Sequence, residues 1–342
     1  MLSPRSETIL KSIVGQYITR AVPVPSQSII NDYELAVSPA TIRNEMAHLE
    51  QEGYIIRPHP SAGSIPSDKG YRFYVETLSD IELPIAEQFL ISHLFHQVER
   101  EMDEWLSLAA TLTAQLVQNV AIVATPKTAK CQFKHLELVH LRDSLALVVL
   151  VLQGARLKQQ LLTFDKAVTQ SELTKIANKL NKAYTNLSRT KISKKKLKLS
   201  PTEKQVTDTL FKIMRAEDEH EFEPSRLDGL HFTLNQPEFR QGKRGLTLME
   251  LAERHDLLKS VAPEGMAEGV QVIIGKENKA AAIQDCSVVL SHYGLPEEAV
   301  GIMGVVGPTR MPYARTISTV GYLSSVLNRL VAELYGRKPK AE

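Results

Sequence analysis

The order of periodic segments along the 342 residues predicts an α+β fold distributed over more than one domain. Three observations predict it. The first eighty residues contain repeated helix starts in which a serine cap precedes a proline, followed by a strand-like return. The middle of the chain holds three segments of strand length, one of them wholly apolar, and then helical stripes. The last third returns to strands and ends on a helix, as expected of one α+β domain interrupted by an inserted segment.

Ser3 and Pro4 fit an N-cap and first helical position, and Ile9, Ile13, Tyr17 and Ile18 recur at helical spacing to about Arg20. Pro23 and Pro25 break that helix, and Ser26 caps a short second one carrying Ile29, Ile30 and Tyr33, with Glu34 to Val37 as a brief connection. Ser38 and Pro39 repeat the start signature, and Ala40 to Glu52 runs without Gly or Pro until Gly53. Ile42, Met46 and Leu49 form one apolar stripe, which leaves Ala40, Asn44, Ala47, His48 and Gln51 on the opposite face, flanked by Thr41 and Arg43. Tyr54 to Arg57 reads as a strand, Pro58 to Pro66 as a loop with three prolines and Gly63, and Ser67 as the cap of a helix through Tyr71, Val75 and Leu78.

Three short helices followed by a strand and a proline-rich loop predict a winged helix-turn-helix, and so duplex DNA as the partner. On the third helix Ser38, Ala40, Thr41, Arg43, Asn44 and His48 are the candidate DNA contacts. Small Ala40 permits close approach, Asn44 suits paired hydrogen bonds to adenine, and Arg43 reaches guanine or phosphate. Arg57, His59, Ser61, Ser64 and Lys69 are the candidate positioning contacts in and after the wing. Taken alone, such a helix face is equally an ordinary solvated one; the wing that follows shifts the balance toward DNA. Residues 1–80 hold seven Lys and Arg against nine Asp and Glu, a net charge of −2. One copy therefore offers few phosphate contacts, and tight binding is expected to need a dimer.

From Ile85 to about Gln118 an apolar stripe runs through Leu90, Leu94, Val98, Met102, Trp105, Ala109, Leu112 and Leu116, as one helix or two, serving as a core helix or a pairing helix. His93 and His96 lie on it without a third ligand, so no metal is expected. Phe133 to His140, Leu145 to Leu152 and Leu157 to Phe164 predict an antiparallel meander turning at Arg142-Asp143 and Gly154. Leu173, Ile176, Leu180, Tyr184 and Leu187 then make a helical stripe, and Ser200, Pro201 and Glu203 a capping box before Val206, Leu210 and Ile213. Lys191, Lys194, Lys195, Lys196 and Lys198 lie between them; without interleaved aromatics the run reads as a solvated linker in preference to a second nucleic-acid site. After a polar stretch from Glu217 to Leu246, strands are expected at Gly269 to Gly275, Cys286 to Ser291 and Gly301 to Gly307. A final helix carries Val320, Leu323, Leu327, Leu330 and Leu334.

The formal net charge of +2 gives no overall pull toward nucleic acid, so any DNA binding must be local. The longest apolar run, Leu145 to Leu152, is far short of the ~20 residues a membrane span requires, and the N-terminus has no basic-then-apolar signal, so a cytoplasmic protein is expected. Cys131 and Cys286 have no CxxC spacing and read as buried apolar residues. Gly304 to Arg315 lacks the Lys-Ser/Thr pair of a phosphate loop and reads as a structural turn between strand and helix, with a subunit contact as a candidate location. No catalytic constellation is recognisable, so neither an enzyme nor a cofactor is expected.

The stretches PATIRNEMAHLEQEGYI and SAGSIPSDKGYRFYVETL resemble the recognition helix and the wing with its following helix in the HrcA family of heat-inducible transcription repressors. IGKEN, DCSVV and GVVGPTRMPYART resemble that family's C-terminal signatures, and Ser64 stands where the family usually has arginine. The resemblance implies a winged helix-turn-helix over 1–80, a GAF-like α+β domain over 81–168 and 262–342, and an inserted dimerisation domain over 169–261. It implies a homodimer on the inverted-repeat operator called CIRCE, repression of chaperone operons of the GroE and DnaK type, loss of activity on heating and reactivation by the GroEL chaperonin. The alternative is a regulator of the same DNA-binding class whose GAF-like domain senses a small molecule.

Overall fold

The computed structural model describes residues 2–32, 38–59, 62–79, 81–99, 101–126, 131–153, 156–219, 226–240, 243–254, 257–261, 269–295 and 299–336. Helix α1 (Pro4–Arg20) begins where the Ser3 hydroxyl accepts from the Ser6 amide at 3.1 Å, with Pro4 at the first helical position. After α2 (Ser26–Asp32) the expected connection Glu34 to Val37 falls outside the described residues. Helix α3 (Pro39–Gln51) follows, then strands β1 (Ile55–Ile56) and β2 (Ile65–Pro66), which pair antiparallel with Ile55 opposite Pro66. Ser67 caps α4 (Asp68–Glu76). The apolar stripe after residue 85 is two helices, α5 (Ile85–Gln97) and α6 (Met102–Val117). It is not one continuous buried face: α5 buries Ile91 and Phe95 but exposes Ile85, Phe89 and Leu90.

Strand β3 (Val120–Val123) is buried at all four positions. Beyond it come β4 (Phe133–Arg142), β5 (Leu145–Leu152) and β6 (Arg156–Thr163), then α7 (Gln170–Tyr184), α8 (Arg189–Ser193) and α9 (Pro201–Glu219). The chain continues through β7 (Arg226–Asp228), α10 (Leu230–Leu234), α11 (Pro237–Arg240), α12 (Lys243–Glu253), α13 (Leu257–Val261) and β8 (Val270–Ile274). Strands β9 (Cys286–Leu295) and β10 (Ala299–Pro308) and helix α14 (Tyr313–Leu334) complete it.

Two larger sheets result. One has the order β7-β3-β10-β9-β8, with β3 antiparallel to both β10 and β7; the other is the expected meander β4-β5-β6. The chain thus leaves the five-stranded sheet after β3 and re-enters it at β7. Residues 127–223, with 294–300 and 331–342, form one compact unit, and residues 1–126, 224–293 and 301–330 form the other. The meander therefore belongs with α7 to α9, and the intervening segment is 127–223 where 169–261 was expected. Its alternating strands bury Leu136, Leu138, Val148 and Leu150 against Leu173, Ile176 and Leu180 of α7. In the five-stranded sheet Val120, Ile122, Val288, Leu290 and Val306 join Phe239, Leu248 and Leu258 from the helices after β7 in a second core. Both cysteines are buried and free, and desolvation pushes each thiol up to about 12.

Within the first unit, α4 is clasped to β8 and to the turn that follows it. Asp68 accepts from the Lys276 amide at 3.0 Å, and Arg72 donates to Glu277 Oε1 at 2.8 Å and to the Val272 carbonyl at 2.7 Å. The Tyr71 ring lies 5.8 Å from that of Tyr313, whose hydroxyl shares a 2.7 Å hydrogen bond with Ser287. Arg310 pairs with Glu238 and donates to the Ile18 carbonyl at the end of α1 at 3.3 Å. The segment Gly304 to Arg315, read as a turn and possible subunit contact, thus contributes to holding the winged helix within one chain. Gly275 has φ +52°, and a Cβ there would come within 2.4 Å of the Asp68 carboxylate. Gly275→Ala is therefore expected to loosen the clasp, read as faster amide hydrogen exchange in α4 with little change in the meander.

Candidate DNA interface

The buried side of α3 fixes its outward side. Ile42 and Leu49 are fully buried and Met46 is 3% exposed, packed toward α1 and α2, while Ala40, Arg43, Asn44, Ala47, His48 and Gln51 face solvent. At its start the Ser38 hydroxyl accepts from the Thr41 amide at 3.2 Å and lies 3.0 Å from the Thr41 hydroxyl, so these two candidate contacts also form the cap. Rotation of α3 is further held by Glu45, which accepts from the Ser6 hydroxyl at 2.6 Å. Among the described residues the side chains of Arg43, Asn44 and His48 have no hydrogen bond or ion pair. They form a polar row on a helix whose dimensions suit a major groove.

The wing candidates divide. Arg57 forms a 3.3 Å ion pair with Glu50, which ties the wing strand to α3 and offsets part of the charge a phosphate would meet. His59 is exposed, its carbonyl accepting from Ala62 at 2.9 Å; Ser61 lies outside the described residues. Lys69 is exposed yet engaged: its ammonium donates to the Glu52 carbonyl at 2.7 Å and lies 4.0 Å from the centre of the Tyr54 ring. Its stem thus links the start of α4 to the end of α3.

Ser64 does not sit on the wing surface as expected. Its amide and carbonyl pair with Val24 at 2.8 Å each, so Val24 adds a third strand position to the wing, and the Ser64 side chain turns inward to complete burial. The hydroxyl has no hydrogen-bond partner there. The adjoining Gly63 passes so close that a Cβ would fall 2.4 Å from the Val24 carbonyl carbon. A serine in a polar loop reads as exposed from sequence; the long-range pairing with Val24 has no local signal.

Four of the seven cations of residues 1–80 are engaged within the protein, Lys69 through the Glu52 carbonyl and three through ion pairs. Arg5 pairs with Glu45, Arg57 with Glu50 and Arg72 with Glu277, which leaves Arg43 as the unpaired cation of α3. Sequence reasoning missed Asp68 and Arg72 as the residues that hold the reading head to the rest of its unit. The stretch IGKEN marked one side of that contact, but nothing in its spacing names a partner some two hundred residues away. No helix of the described residues is long and apolar enough to cross a membrane, and no group of three metal-ligating side chains occurs among them.

Comparison with known proteins identifies the family. The family model for the HrcA protein C terminal domain matches residues 103–317. The chain is 55% identical over 340 residues to the heat-inducible transcription repressor HrcA of Dehalococcoides mccartyi, covering 99% of both, and 40% identical to that of Roseiflexus castenholzii, covering 98% of this chain and 96% of the relative. The crystal structure of a hypothetical protein shares the fold, with a TM-score of 0.61 at 24% identity over 97% of this chain and 98% of that one. The full-length match to these repressors establishes that the chain belongs to the HrcA family of heat-inducible transcription repressors.

Proposed function

We propose that this cytoplasmic chain binds a CIRCE-type inverted repeat as a homodimer and represses chaperone operons of the GroE and DnaK type. The observation that carries the reading is the outward row of α3, in which Arg43, Asn44 and His48 are unpaired above a buried Ile42, Met46 and Leu49 stripe. Asn44 and Arg43 read base edges in the major groove, with exposed His59 on the wing side toward the backbone; Arg57 and Lys69 reach phosphate only by leaving Glu50 and the Glu52 carbonyl. Ser38, Ala40 and Thr41 let the start of α3 approach closely. Ser64 acts only through its backbone, by holding the wing to Val24.

The outer face of the meander supports the dimer. Val139, Leu147 and Leu161 align across the three strands, as do His135, Val151 and Leu157, and Leu161, Leu157 and Leu141 are 58%, 52% and 47% exposed. Glu137, Val149 and Gln159 form the row between them, so the face is mixed, with its exposed leucines at Leu141, Leu157 and Leu161 the positions a two-fold axis would cover with its own copy. Two copies also supply the phosphate contacts that residues 1–80, at net −2, lack singly. Heating depletes the folded repressor, and chaperonin raises the folded population, so operons for chaperones open when chaperonin is scarce.

Three outcomes follow. Arg43→Ala and Asn44→Ala each weaken binding to the inverted repeat by about 1–3 kcal/mol while leaving a scrambled duplex bound as before; unchanged operator affinity removes that residue from the interface. Leu161→Glu shifts the protein from dimer to monomer in sedimentation equilibrium without loss of helical signal, and an unaltered dimer places the interface elsewhere. Operator occupancy rises as GroEL is titrated into protein recovering from heat; a flat response excludes chaperonin feedback.

A further inference from the structure

The charge of this chain is concentrated outside the DNA-reading domain. Residues 127–223 hold 19 Lys and Arg against 11 Asp and Glu, a net of +8, while residues 1–80 are at −2 and the whole chain at +2. Between Lys166 and Arg215 the count is 13 against 3.

A block of lysines is commonly a solvated linker, but this one is stapled down. Ile192 is buried in the core of its unit, and Leu197 and Leu199 pack against the same core, so Lys194, Lys195, Lys196 and Lys198 are held outward on an anchored segment. Lys195 donates to the Ala183 carbonyl at the end of α7 at 2.6 Å, and Lys179 donates to the Lys198 carbonyl at 3.0 Å, which lays the segment alongside α7. On α7 itself Lys175, Lys179 and Lys182 follow at helical spacing, opposite the buried Leu173, Ile176 and Leu180. Glu203 neutralises Lys179, whereas Lys182, Lys194 and Lys196 are exposed and have no ion pair among the described residues.

We infer that this lysine face, built from α7 and residues 191–198, binds the phosphate backbone of duplex DNA without regard to sequence. It rests on the DNA-binding reading given above and adds a second site to it. Lysines are point charges that suit phosphate and carry no base code, and no aromatic side chain accompanies residues 191–198 to stack on bases, which favours a duplex backbone over single strands. Anchoring by Ile192, Leu197 and Leu199 lowers the ordering cost that a disordered basic tail would meet on binding. The site adds phosphate contacts to a winged helix in which Arg5, Arg57 and Arg72 are already held in ion pairs.

The test is a salt series on the full-length protein with the inverted repeat and with a scrambled duplex of equal length. In the triple variant Lys182→Gln, Lys194→Gln, Lys196→Gln, the slope of log affinity against log salt falls by about 0.9 for each lysine that meets a phosphate, for both duplexes alike. The corresponding triple Arg variant keeps the slope, which separates lost charge from lost fold. Asn44→Ala, run in parallel, loses the preference for the inverted repeat and keeps the slope. An unchanged preference in that variant would overturn the α3 reading and leave the lysine result standing. The lysine face is overturned by an unchanged slope in the Gln triple or by no salt-dependent binding of the parent protein to the scrambled duplex. It is overturned equally if the lysines prove to govern binding to phosphatidylserine vesicles and not to DNA.

Discussion

Burial of Ile42, Met46 and Leu49 is the constraint on which the reading head depends. Each such side chain contributes about 1.5–3 kcal/mol when fully removed from water, and together they leave α3 one rotational setting. Every outward position of the helix follows from that setting. Glu45, held by the Ser6 hydroxyl, adds a polar stop, and the Ser38 cap satisfies amides that would otherwise be orphaned at the end nearest a partner. The cost of presenting Arg43, Asn44 and His48 unpaired is small in the free protein, because water satisfies them.

The second constraint is long-range. Helix α4 is both the closing element of the winged helix and the element that meets β8, so the same nine residues serve two neighbours. Arg72 and Asp68 supply charge-assisted hydrogen bonds to one turn, and Gly275 supplies the backbone conformation that lets the Asp68 carboxylate enter it. The Arg72 and Glu277 side chains are 30% and 38% exposed, so their pair alone contributes at most about 1 kcal/mol; the packing of Tyr71 on Tyr313 and the backbone hydrogen bonds do the rest.

Much of this architecture is legible in the residues because its signals are local. Ser3-Pro4, Ser38-Pro39 and Ser67 announce helix starts through capping chemistry that needs no partner from elsewhere, and the capping box at Ser200 and Glu203 forms as read. The meander is legible because the eight-residue apolar run of β5 has few alternatives and segments of strand length that mix apolar and polar residues flank it. Strands β3 and β7, of four and three residues, carry too short a pattern to register, and without them the boundaries of the intervening segment shift by some forty residues. The candidate interface divides in the same way: the outward face of α3 follows from one helix's periodicity, whereas the burial of Ser64 and the pairing of Arg57 depend on partners that only the fold brings near. The lysine run is solvent-exposed between α8 and α9 as its composition indicates, whereas its apolar anchors at Ile192, Leu197 and Leu199 look incidental until the core they enter is known.

The proposed recognition by the outward face of α3 in the major groove is tested most directly by guanine N7 and adenine N3 methylation interference on the inverted repeat, because these atoms lie in opposite grooves. Interference at guanine N7 positions in both half-sites, arranged symmetrically about the centre of the repeat, is the predicted pattern. Interference confined to adenine N3, with guanine N7 methylation tolerated throughout both half-sites, would contradict it.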